Sequence, residues 1–268
     1  MSARVRTIIR PPGDAFRGAL AGYHGPSMLD PERARRQHAA FVTALEAAGA
    51  QIERLPPEPD LPDATFVSDT LLAFPLEGPT RLLVITRPGA PSRRAEVAAV
   101  AARARALAPG ARVVELREPG TLDGGDVICF ADRVAIGLST RTNREGANQL
   151  AEAIRPLGYR AFLCPVQSRL HLATAVTPLG GNRMIGTPAG FESLDAAGAS
   201  DGVERLVLLP DEQPAANVLA LGSHCLMVSG HPRAADLLRR AGHTVTELEL
   251  DEFVRADGGP TCLVALVP

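Results

Sequence analysis

A cysteine, Cys262, lies six residues from the end of the chain and closes the stretch ADGGPTC. Two glycines precede it in a polar loop, and an apolar run follows it. A thiolate is a strong nucleophile for an electrophilic carbon, so such a residue is a candidate catalyst. A small cysteine beside an apolar run is also a frequent core residue. The stretch by itself leaves both interpretations open.

Other side chains suited to catalysis occur in distant parts of the chain. Asp63 and Asp69 lie in PDATFVSDTLLAF, where Asp69 interrupts an otherwise apolar strand pattern. Asp123 and Asp126 flank two glycines in LDGGDVICF, and His171 stands between two leucines. Taken singly, an aspartate beside glycines is more often a turn former, and a lone histidine in an apolar run is more often a hydrogen-bonded core residue.

As a set, these groups suit one kind of chemistry if they face a common pocket. Two carboxylates repel each other unless a cation lies between them, and a guanidinium or amidinium group satisfies both through paired hydrogen bonds. A thiolate can attack the central carbon of that cation, while a histidine protonates the leaving amine and later activates water. Because a free cysteine has a pKa of about 8.5, we expect the cationic substrate to help ionise it.

Arginines are candidates for binding the other end of such a substrate. Arg93, Arg94 and Arg141 lie near the predicted starts of helices, where arginines are usually solvated and the helix dipole disfavours cations. A guanidinium binds a carboxylate bidentately, which suits a substrate carboxylate. No cofactor and no metal are expected, because side chains supply all the catalytic groups and the four cysteines lack the spacing of zinc ligands.

A recurring order of elements would position these residues. Apolar patterns, Gly/Pro turns and helical spacing predict units of a hairpin, a helix and a further strand. The copies cover residues 5–55, 81–116, 126–164, 173–209 (a weaker copy) and 218–250. In the second copy the predicted helix spans 91–107 with Ser92 as its cap. About five such units favour a closed array or a solenoid. Closure around an axis would bring polar residues at the inner strand ends together in one central pocket. An ordinary open α/β sheet is the alternative.

Composition limits the function classes. The 268 residues are 46% hydrophobic and carry a net charge of −2, so neither a nucleic-acid partner nor a membrane surface is indicated. No apolar run reaches the roughly 18 residues of a membrane span, and the start of the chain resembles a first strand rather than a signal peptide. We expect one catalytic domain over residues 1–268 in a reducing cytoplasm. Cys129, Cys164 and Cys225 lie in apolar stretches and are expected to be buried.

Eight short motifs, in this order, resemble the dimethylarginine dimethylaminohydrolase family within the pentein (guanidino-group-modifying) superfamily. They are RRQH (35–38), PDATFVSD (62–69), ITRPGAPSRRAE (85–96), GTLDGGD (120–126), GLSTRTN (137–143), LHL (170–172), PAANV (214–218) and DGGPTC (257–262). The resemblance implies a five-bladed αβ-propeller with a central active site and a small-molecule guanidino substrate. A homodimer is ordinary for bacterial members of that family.

The resemblance also implies roles for individual residues. It makes Cys262 the nucleophile and His171 the general acid/base, with Asp123 and Asp69 on the guanidinium. The implied substrate contacts are Asp63 and the carbonyl of Ala256 on the α-amino side, Arg93 and Arg141 on the α-carboxylate, and Leu20 within a lid over residues 15–28.

Two positions and one loop, ALAGYHGPSM (19–28) in the lid, depart from the family pattern. Ser68 replaces the glutamate of the usual F-V-E-D motif, and Ala173 replaces a lysine. Ser68 removes a carboxylate from the neighbourhood of the guanidinium site, so it is expected to line that site and to bear on substrate choice.

The expected reaction is hydrolysis of asymmetric dimethylarginine or monomethylarginine to citrulline and dimethylamine or methylamine, through a covalent thiouronium intermediate. Two alternatives keep the chemistry and change the substrate: free arginine, as in a deiminase, or another Nω-substituted arginine. A non-catalytic propeller that only binds its ligand is the alternative from a different class.

Overall fold

The computed structural model describes residues 6–22, 28–75, 81–166 and 170–267. Within these ranges the strands form five three-stranded sheets. Their members are β1 (Arg6–Ile9) and β2 (Gln51–Arg54); β3 (Leu71–Pro75), β4 (Arg81–Ile85) and β5 (Arg112–Glu115); β6 (Val127–Phe130), β7 (Arg133–Leu138) and β8 (Arg160–Pro165); β9 (Val176–Gly180), β10 (Arg183–Gly186) and β11 (Glu204–Val207); β12 (Leu219–Leu221), β13 (His224–Val228) and β14 (Thr244–Leu248); and β15 (Ala265–Val267), which joins β1 and β2.

Every sheet has the same internal order. Its first two strands pair antiparallel and its third strand returns parallel to the second, as in β6, β7 and β8. A parallel return needs a crossover, and a helix supplies it in each sheet. The helices are α1 (Pro31–Ala47), α2 (Val97–Leu107), α3 (Arg144–Ile154), α4 (Pro188–Ala196), α5 (Pro232–Arg240) and the short α6 (Asp251–Arg255), which precedes the closing turn.

Local sequence explains where these helices begin and what they cover. The Asn143 side chain accepts a hydrogen bond from the Gly146 amide and so caps α3. Leu150 and Ile154 of α3 are fully buried, in one cluster with Val134 of β7. Burial of one such leucine or isoleucine contributes about 1.5–3 kcal/mol, which fixes the helix on its sheet.

The start of the second crossover differs from the expected helix over 91–107. Residues Pro91–Glu96 form a 3-10 helix, α2 begins only at Val97, and Ser92 makes no capping hydrogen bond. A 3-10 helix has three residues per turn, so Arg93 and Glu96 lie on the same face. Both are buried, whereas Arg94 between them is exposed.

The two ends of the chain meet in one sheet. β15 pairs antiparallel with β1, with Ile8 opposite Ala265. The first sheet therefore takes its first strand from the end of the chain. The first strands of the five sheets, which we call the inner strands (β15, β3, β6, β9 and β12), all line one cavity of about 270 Å³, the axial cavity. The predicted five-unit array is confirmed, and the open-sheet alternative is wrong.

The cysteines outside the closing turn divide into two groups. Cys164 and Cys225 are buried, as predicted, but Cys129 is exposed. Cys129 lies on β6 with its side chain in the wall of the axial cavity. Strand alternation turned it away from the apolar neighbours on which the prediction rested. Surrounding protein atoms nevertheless raise the pKa of its thiol to about 12. Within the described ranges, the helices are too short or too polar to cross a membrane.

Candidate active site

A polar residue lies in the turn before each inner strand. Asp69 precedes β3, Asp123 precedes β6, His171 precedes β9, Asn217 precedes β12 and Cys262 precedes β15. Because the five sheets repeat around one cavity, these equivalent turns meet at the same end of it. Residues far apart in sequence are thereby brought together.

One small pocket unites most of the predicted site residues. Its walls include Leu20, Asp63, Asp69, Arg93, Arg141, His171, Ala256 and Cys262. Asp123 lies just behind this wall and contacts His171. The pocket volume is only about 20 Å³, so a substrate as large as arginine requires side chains to move.

His171 is held between two carboxylates. Its Nε2 lies 3.1 Å from Oδ2 of Asp123, and its Nδ1 lies 4.0 Å from Oδ1 of Asp69. Burial alone would lower the pKa of His171, but the charges of Asp69 and Asp126 and the hydrogen bond with Asp123 raise it to about 9. The imidazole is therefore protonated at neutral pH and ready to act as an acid.

Cys262 is nearly enclosed, with 5% of its surface exposed. Burial and the charge of Asp69 raise the pKa of its thiol to about 11, against smaller opposing effects of a backbone hydrogen bond from Gly259, a side-chain hydrogen bond from Thr261 and the charge of Arg93. At neutral pH the sulfur is a thiol, and a cation brought next to it favours the thiolate.

Arg93 binds the carboxylates of the protein itself. Its Nη1 donates to Oδ2 of Asp69 at 2.6 Å, and its Nη2 donates to Glu96 at 2.8 Å and to the Phe66 carbonyl at 3.1 Å. Burial would raise the pKa of Asp69, but His171 and Arg93 together hold it below its usual value. Burial raises the pKa of Glu96 to about 7 in spite of Arg93.

Arg141 has a different environment from Arg93. Its Nη1 lies 3.8 Å from Oδ2 of Asp123 and donates no hydrogen bond within the described ranges. This buried donor faces the pocket without a short partner. Arg141 is therefore better placed than Arg93 to take up a carboxylate without first breaking a hydrogen bond.

The same carboxylates have the geometry of a cation site. Among the described residues, one oxygen each of Asp69 and Asp123 and one nitrogen of His171 lie within 4.8 Å of one another. Three such groups suit a divalent metal as well as a planar organic cation. Arg93 Nη1 lies 2.6 Å from Asp69 and 3.9 Å from Asp123, so a guanidinium nitrogen already neutralises charge at this point.

Asp126 links the turn that carries His171 to the turn that carries Asp123. Its Oδ1 accepts from the Leu172 amide at 3.0 Å, and its Oδ2 accepts from the Thr142 hydroxyl at 2.6 Å. The same hydroxyl accepts from the Asp123 amide at 3.2 Å. The backbone beside His171 and the backbone of Asp123 are thus linked through one buried carboxylate.

Two glycines allow these turns to approach one another. A Cβ on Gly125 would lie 2.7 Å from Nδ1 of His171 and 2.9 Å from Asp69. A Cβ on Gly259 would lie 2.7 Å from the amide group of Asn217. Only a residue without a side chain fits at either place.

Ser68 does not line this pocket, which differs from the sequence expectation. It lies in the wall of the axial cavity, as does Ala173, the other position that departs from the family pattern. Ser68 and Asp69 are neighbours in the 3-10 turn Val67–Thr70, where successive side chains point roughly 120° apart. Asp69 therefore lines the pocket, whereas Ser68 lies in the wall of the axial cavity.

The described part of the predicted lid is tied to the pocket. The Leu20 amide donates to Oδ1 of Asp63 at 3.0 Å, and the Gly22 amide donates to Oδ2 of Asp257 at 2.5 Å. Leu20 is also one of the wall residues of the pocket. Residues 23–27 of the predicted lid lie outside the described residues.

Curated relatives match nearly the whole chain, although no family model matches it. The N(G),N(G)-dimethylarginine dimethylaminohydrolase of Streptomyces coelicolor is 36% identical over 258 residues, which cover 96% of this chain and 95% of the relative. The chain belongs to the dimethylarginine dimethylaminohydrolase family. The Pseudomonas aeruginosa enzyme of the same name is 32% identical over 96% of each chain.

Solved structures agree with this family and with its fold. A Cys→Ser mutant of the Pseudomonas aeruginosa enzyme, complexed with citrulline, superimposes with a TM-score of 0.89 at 28% identity and covers 97% of this chain and 98% of that one. The N-terminal domain of ArgZ, a cyanobacterial arginine dihydrolase, has a TM-score of 0.83 at 19% identity over 98% of each chain, a likeness that concerns the fold alone. The expected pentein propeller is confirmed.

Sequence reasoning missed Glu96 and Asn217 of this dimethylarginine dimethylaminohydrolase-type site, and it named Asp126 only as one of several candidate carboxylates. All three residues, Glu96, Asp126 and Asn217, lie inside the family motifs, but the resemblance assigns none of them an individual role. The signal that identifies Asn217 is its place before an inner strand, which becomes visible once the five units are aligned by their first strands.

Proposed function

We propose that the protein hydrolyses Nω-methylated arginine, asymmetric dimethylarginine or monomethylarginine, to citrulline and dimethylamine or methylamine. The observation that carries this proposal is the meeting of Cys262, His171, Asp69 and Asp123 from separate sheets around one pocket. Membership of the dimethylarginine dimethylaminohydrolase family supports the same reaction.

Binding places the substrate guanidinium between Asp69 and Asp123. Arg93 now neutralises part of that site, so its Nη1 exchanges Asp69 for the substrate's α-carboxylate as the guanidinium enters. Arg141, which has a buried donor, binds the same carboxylate. Asp63 and the carbonyl of Ala256 take the α-amino group, and Leu20 covers the pocket.

The first chemical step forms a carbon–sulfur bond. The cation next to Cys262 favours the thiolate, so the thiol proton passes to solvent. The thiolate then attacks the guanidinium carbon and gives a tetrahedral adduct. His171, protonated at neutral pH, donates its proton to the substituted nitrogen. The carbon–nitrogen bond breaks, the methylated amine leaves, and a thiouronium bound to Cys262 remains.

The second step breaks the carbon–sulfur bond. His171, now neutral, takes a proton from water, whose oxygen attacks the thiouronium carbon. The carbon–sulfur bond cleaves, the carbonyl of citrulline forms as the added hydroxyl loses its proton, and that proton restores the thiol of Cys262, while His171 keeps the proton taken from water. No electrons are exchanged with a further reactant, so these side chains and water complete the cycle.

Free arginine and other Nω-substituted arginines remain the alternative substrates. Ser68 is the reason to favour them, and this residue lies in the wall of the axial cavity instead of the pocket. We therefore keep methylated arginine as the substrate. A panel of arginine, monomethylarginine, asymmetric dimethylarginine and longer Nω-alkyl arginines decides between them, and the highest kcat/KM on free arginine would overturn this choice.

The catalytic claim is tested with two cysteine variants. Cys262→Ser should lose citrulline release from asymmetric dimethylarginine. Cys129→Ser should keep it, because Cys129 lies in the wall of the axial cavity and is not a wall residue of the pocket. Equal activity of the wild type and Cys262→Ser would overturn the mechanism. A wild type that binds asymmetric dimethylarginine without releasing citrulline would identify a binding module instead.

A further inference from the structure

Asn217 completes the ring of polar residues before the inner strands. The other four turns supply two carboxylates, the histidine and the cysteine. Asn217 stands two residues before the start of β12, in the equivalent turn, and is 4% exposed. A buried amide costs free energy unless its polar atoms are hydrogen-bonded, so its partners indicate what it does.

The partners of Asn217 fix which way its amide points. Its Oδ1 accepts from the Thr261 amide at 2.9 Å, and its Nδ2 donates to the Ala173 carbonyl at 3.2 Å. An N–H and a carbonyl as neighbours leave only one assignment of oxygen and nitrogen. The same Nδ2 lies 3.8 Å from Sγ of Cys262, so an N–H donor faces the sulfur.

We propose that Asn217 is a positioning residue that favours the thiolate of Cys262. One arm, the Oδ1 acceptor, holds the backbone beside the cysteine. The other arm, the Nδ2 donor, faces the sulfur both when the thiolate forms and when it leaves the thiouronium. Hydrogen bonds to an ionised group are shorter and stronger than those to a neutral one, so this contact tightens as charge develops. The proposal rests on Cys262 as the nucleophile of the proposed function.

The lack of a side chain at Gly259 leaves space for the Asn217 amide. A Cβ there would lie 2.7 Å from Cγ and Oδ1 of Asn217 and would push the amide away from the turn. The second glycine of DGGPTC thus makes room for the amide that faces Cys262. The closing motif and PAANV act together although they are far apart in sequence.

Two substitutions separate the arms. Asn217→Leu keeps the shape and removes both, without adding a charge. Asn217→Asp keeps an acceptor for the Thr261 amide and replaces the donor that faces Cys262 by a second oxygen. Thr177→Val is the matched control, because the buried Thr177 hydroxyl bonds the Ala216 carbonyl at 2.8 Å and the Val218 amide at 3.1 Å, which flank Asn217 without reaching the sulfur.

The measurement is the pH dependence of iodoacetamide alkylation at Cys262, read by peptide mass spectrometry on full-length protein. Loss of a hydrogen bond to an ionised group corresponds to about tenfold or more in rate constant. We expect Asn217→Leu and Asn217→Asp to react about tenfold more slowly at a given pH, with the profile moved to higher pH, and Thr177→Val to react as the wild type does.

Three outcomes would overturn the role of Asn217: an unchanged profile in Asn217→Asp, an unchanged profile in Asn217→Leu, or an equal shift in Thr177→Val, which would indicate general loosening of the turn. If Asn217→Leu does not fold, Asn217→Asp alone decides. Citrulline release by the wild type is measured in parallel. Its absence would reject the proposed function, whereas the alkylation profiles judge Asn217 separately.

Discussion

At neutral pH, Cys262 is a neutral thiol next to a protonated His171, because the pKa of the thiol is raised to about 11 and that of the imidazole to about 9. At pH 7 about one thiol in 10,000 is then ionised. A neutral alkylating reagent such as iodoacetamide should therefore react slowly at pH 7. Its rate constant should rise about tenfold for each pH unit towards about pH 10, since only the thiolate reacts.

A cationic reagent should escape this limit. The amidinium of 2-chloroacetamidine can lie between Asp69 and Asp123 and bring a positive charge to the sulfur. An opposite charge within a few ångströms lowers a pKa by about 1–3 units, which corresponds to about 10- to 1000-fold in thiolate population at pH 7. Relative to a small reference thiol, Cys262 should prefer chloroacetamidine over iodoacetamide by about that factor.

The Asp69→Asn variant makes the two reagents respond in opposite directions. Loss of the carboxylate removes a charge that raises the pKa of Cys262, so iodoacetamide should react faster. It also removes half of the amidinium site, so the preference for chloroacetamidine should fall. Both rate constants are measured at the Cys262 peptide, because Cys129 is exposed. A wild-type preference equal to that of the reference thiol, or an iodoacetamide midpoint near the usual pKa, would refute the electrostatic argument.

Three further substitutions test the supports of the site and the core. Asp126→Asn removes a charge that raises the pKa of His171. The alkaline limb of the kcat/KM profile for citrulline release, where His171 loses its proton and which is expected near pH 9, should therefore move to lower pH; an unmoved limb would contradict this. Gly125→Ala should lower kcat/KM about 100-fold, because its Cβ would lie 2.7 Å from Nδ1 of His171 and displace the imidazole. Gly110→Ala is the control: no atom lies within 4 Å of its Cβ, so kcat/KM should be unchanged. Burial and the nearby Arg54 lower the pKa of His38 to about 4, so between about pH 6.5 and pH 4 only the unfolded state binds a proton here, and the free energy of unfolding falls as the pH falls through this window. His38→Leu should reduce the pH dependence of the free energy of unfolding, measured in urea, by about 1.4 kcal/mol per pH unit in this window. An equal pH dependence in both proteins would exclude His38 as its source.

The sequence already contained the repeat and most of the chemistry. Apolar spacing and Gly/Pro turns are local properties, so the hairpin–helix–strand units could be predicted with small errors, such as the strand β11, which was expected over 206–209 and spans Glu204–Val207. The residue types suited to a guanidinium, and their order in the family motifs, pointed to Cys262 and His171. These inferences need no knowledge of which strand pairs with which.

Long-range pairing and side-chain direction were decided only by the tertiary structure. The pairing of β15 with β1 joins the two ends of the chain, and no local pattern encodes it. A 3-10 turn sends Asp69 to the pocket and Ser68 to the axial cavity, and another places Arg93 beside Glu96. A shift of one residue in such a turn reverses which side chain faces the pocket.

Asn217 also shows the difference between what the sequence predicts and what only the tertiary structure decides. Its residue type is common in loops, and PAANV carries no catalytic signature by itself. Only the closure of five units around one axis brings its amide to 3.8 Å from Cys262, between turns that are far apart in the chain. The sequence determined which groups are present, and the packing of equivalent turns decided which of them meet, because contact in a ring depends on position around the axis rather than on distance along the chain.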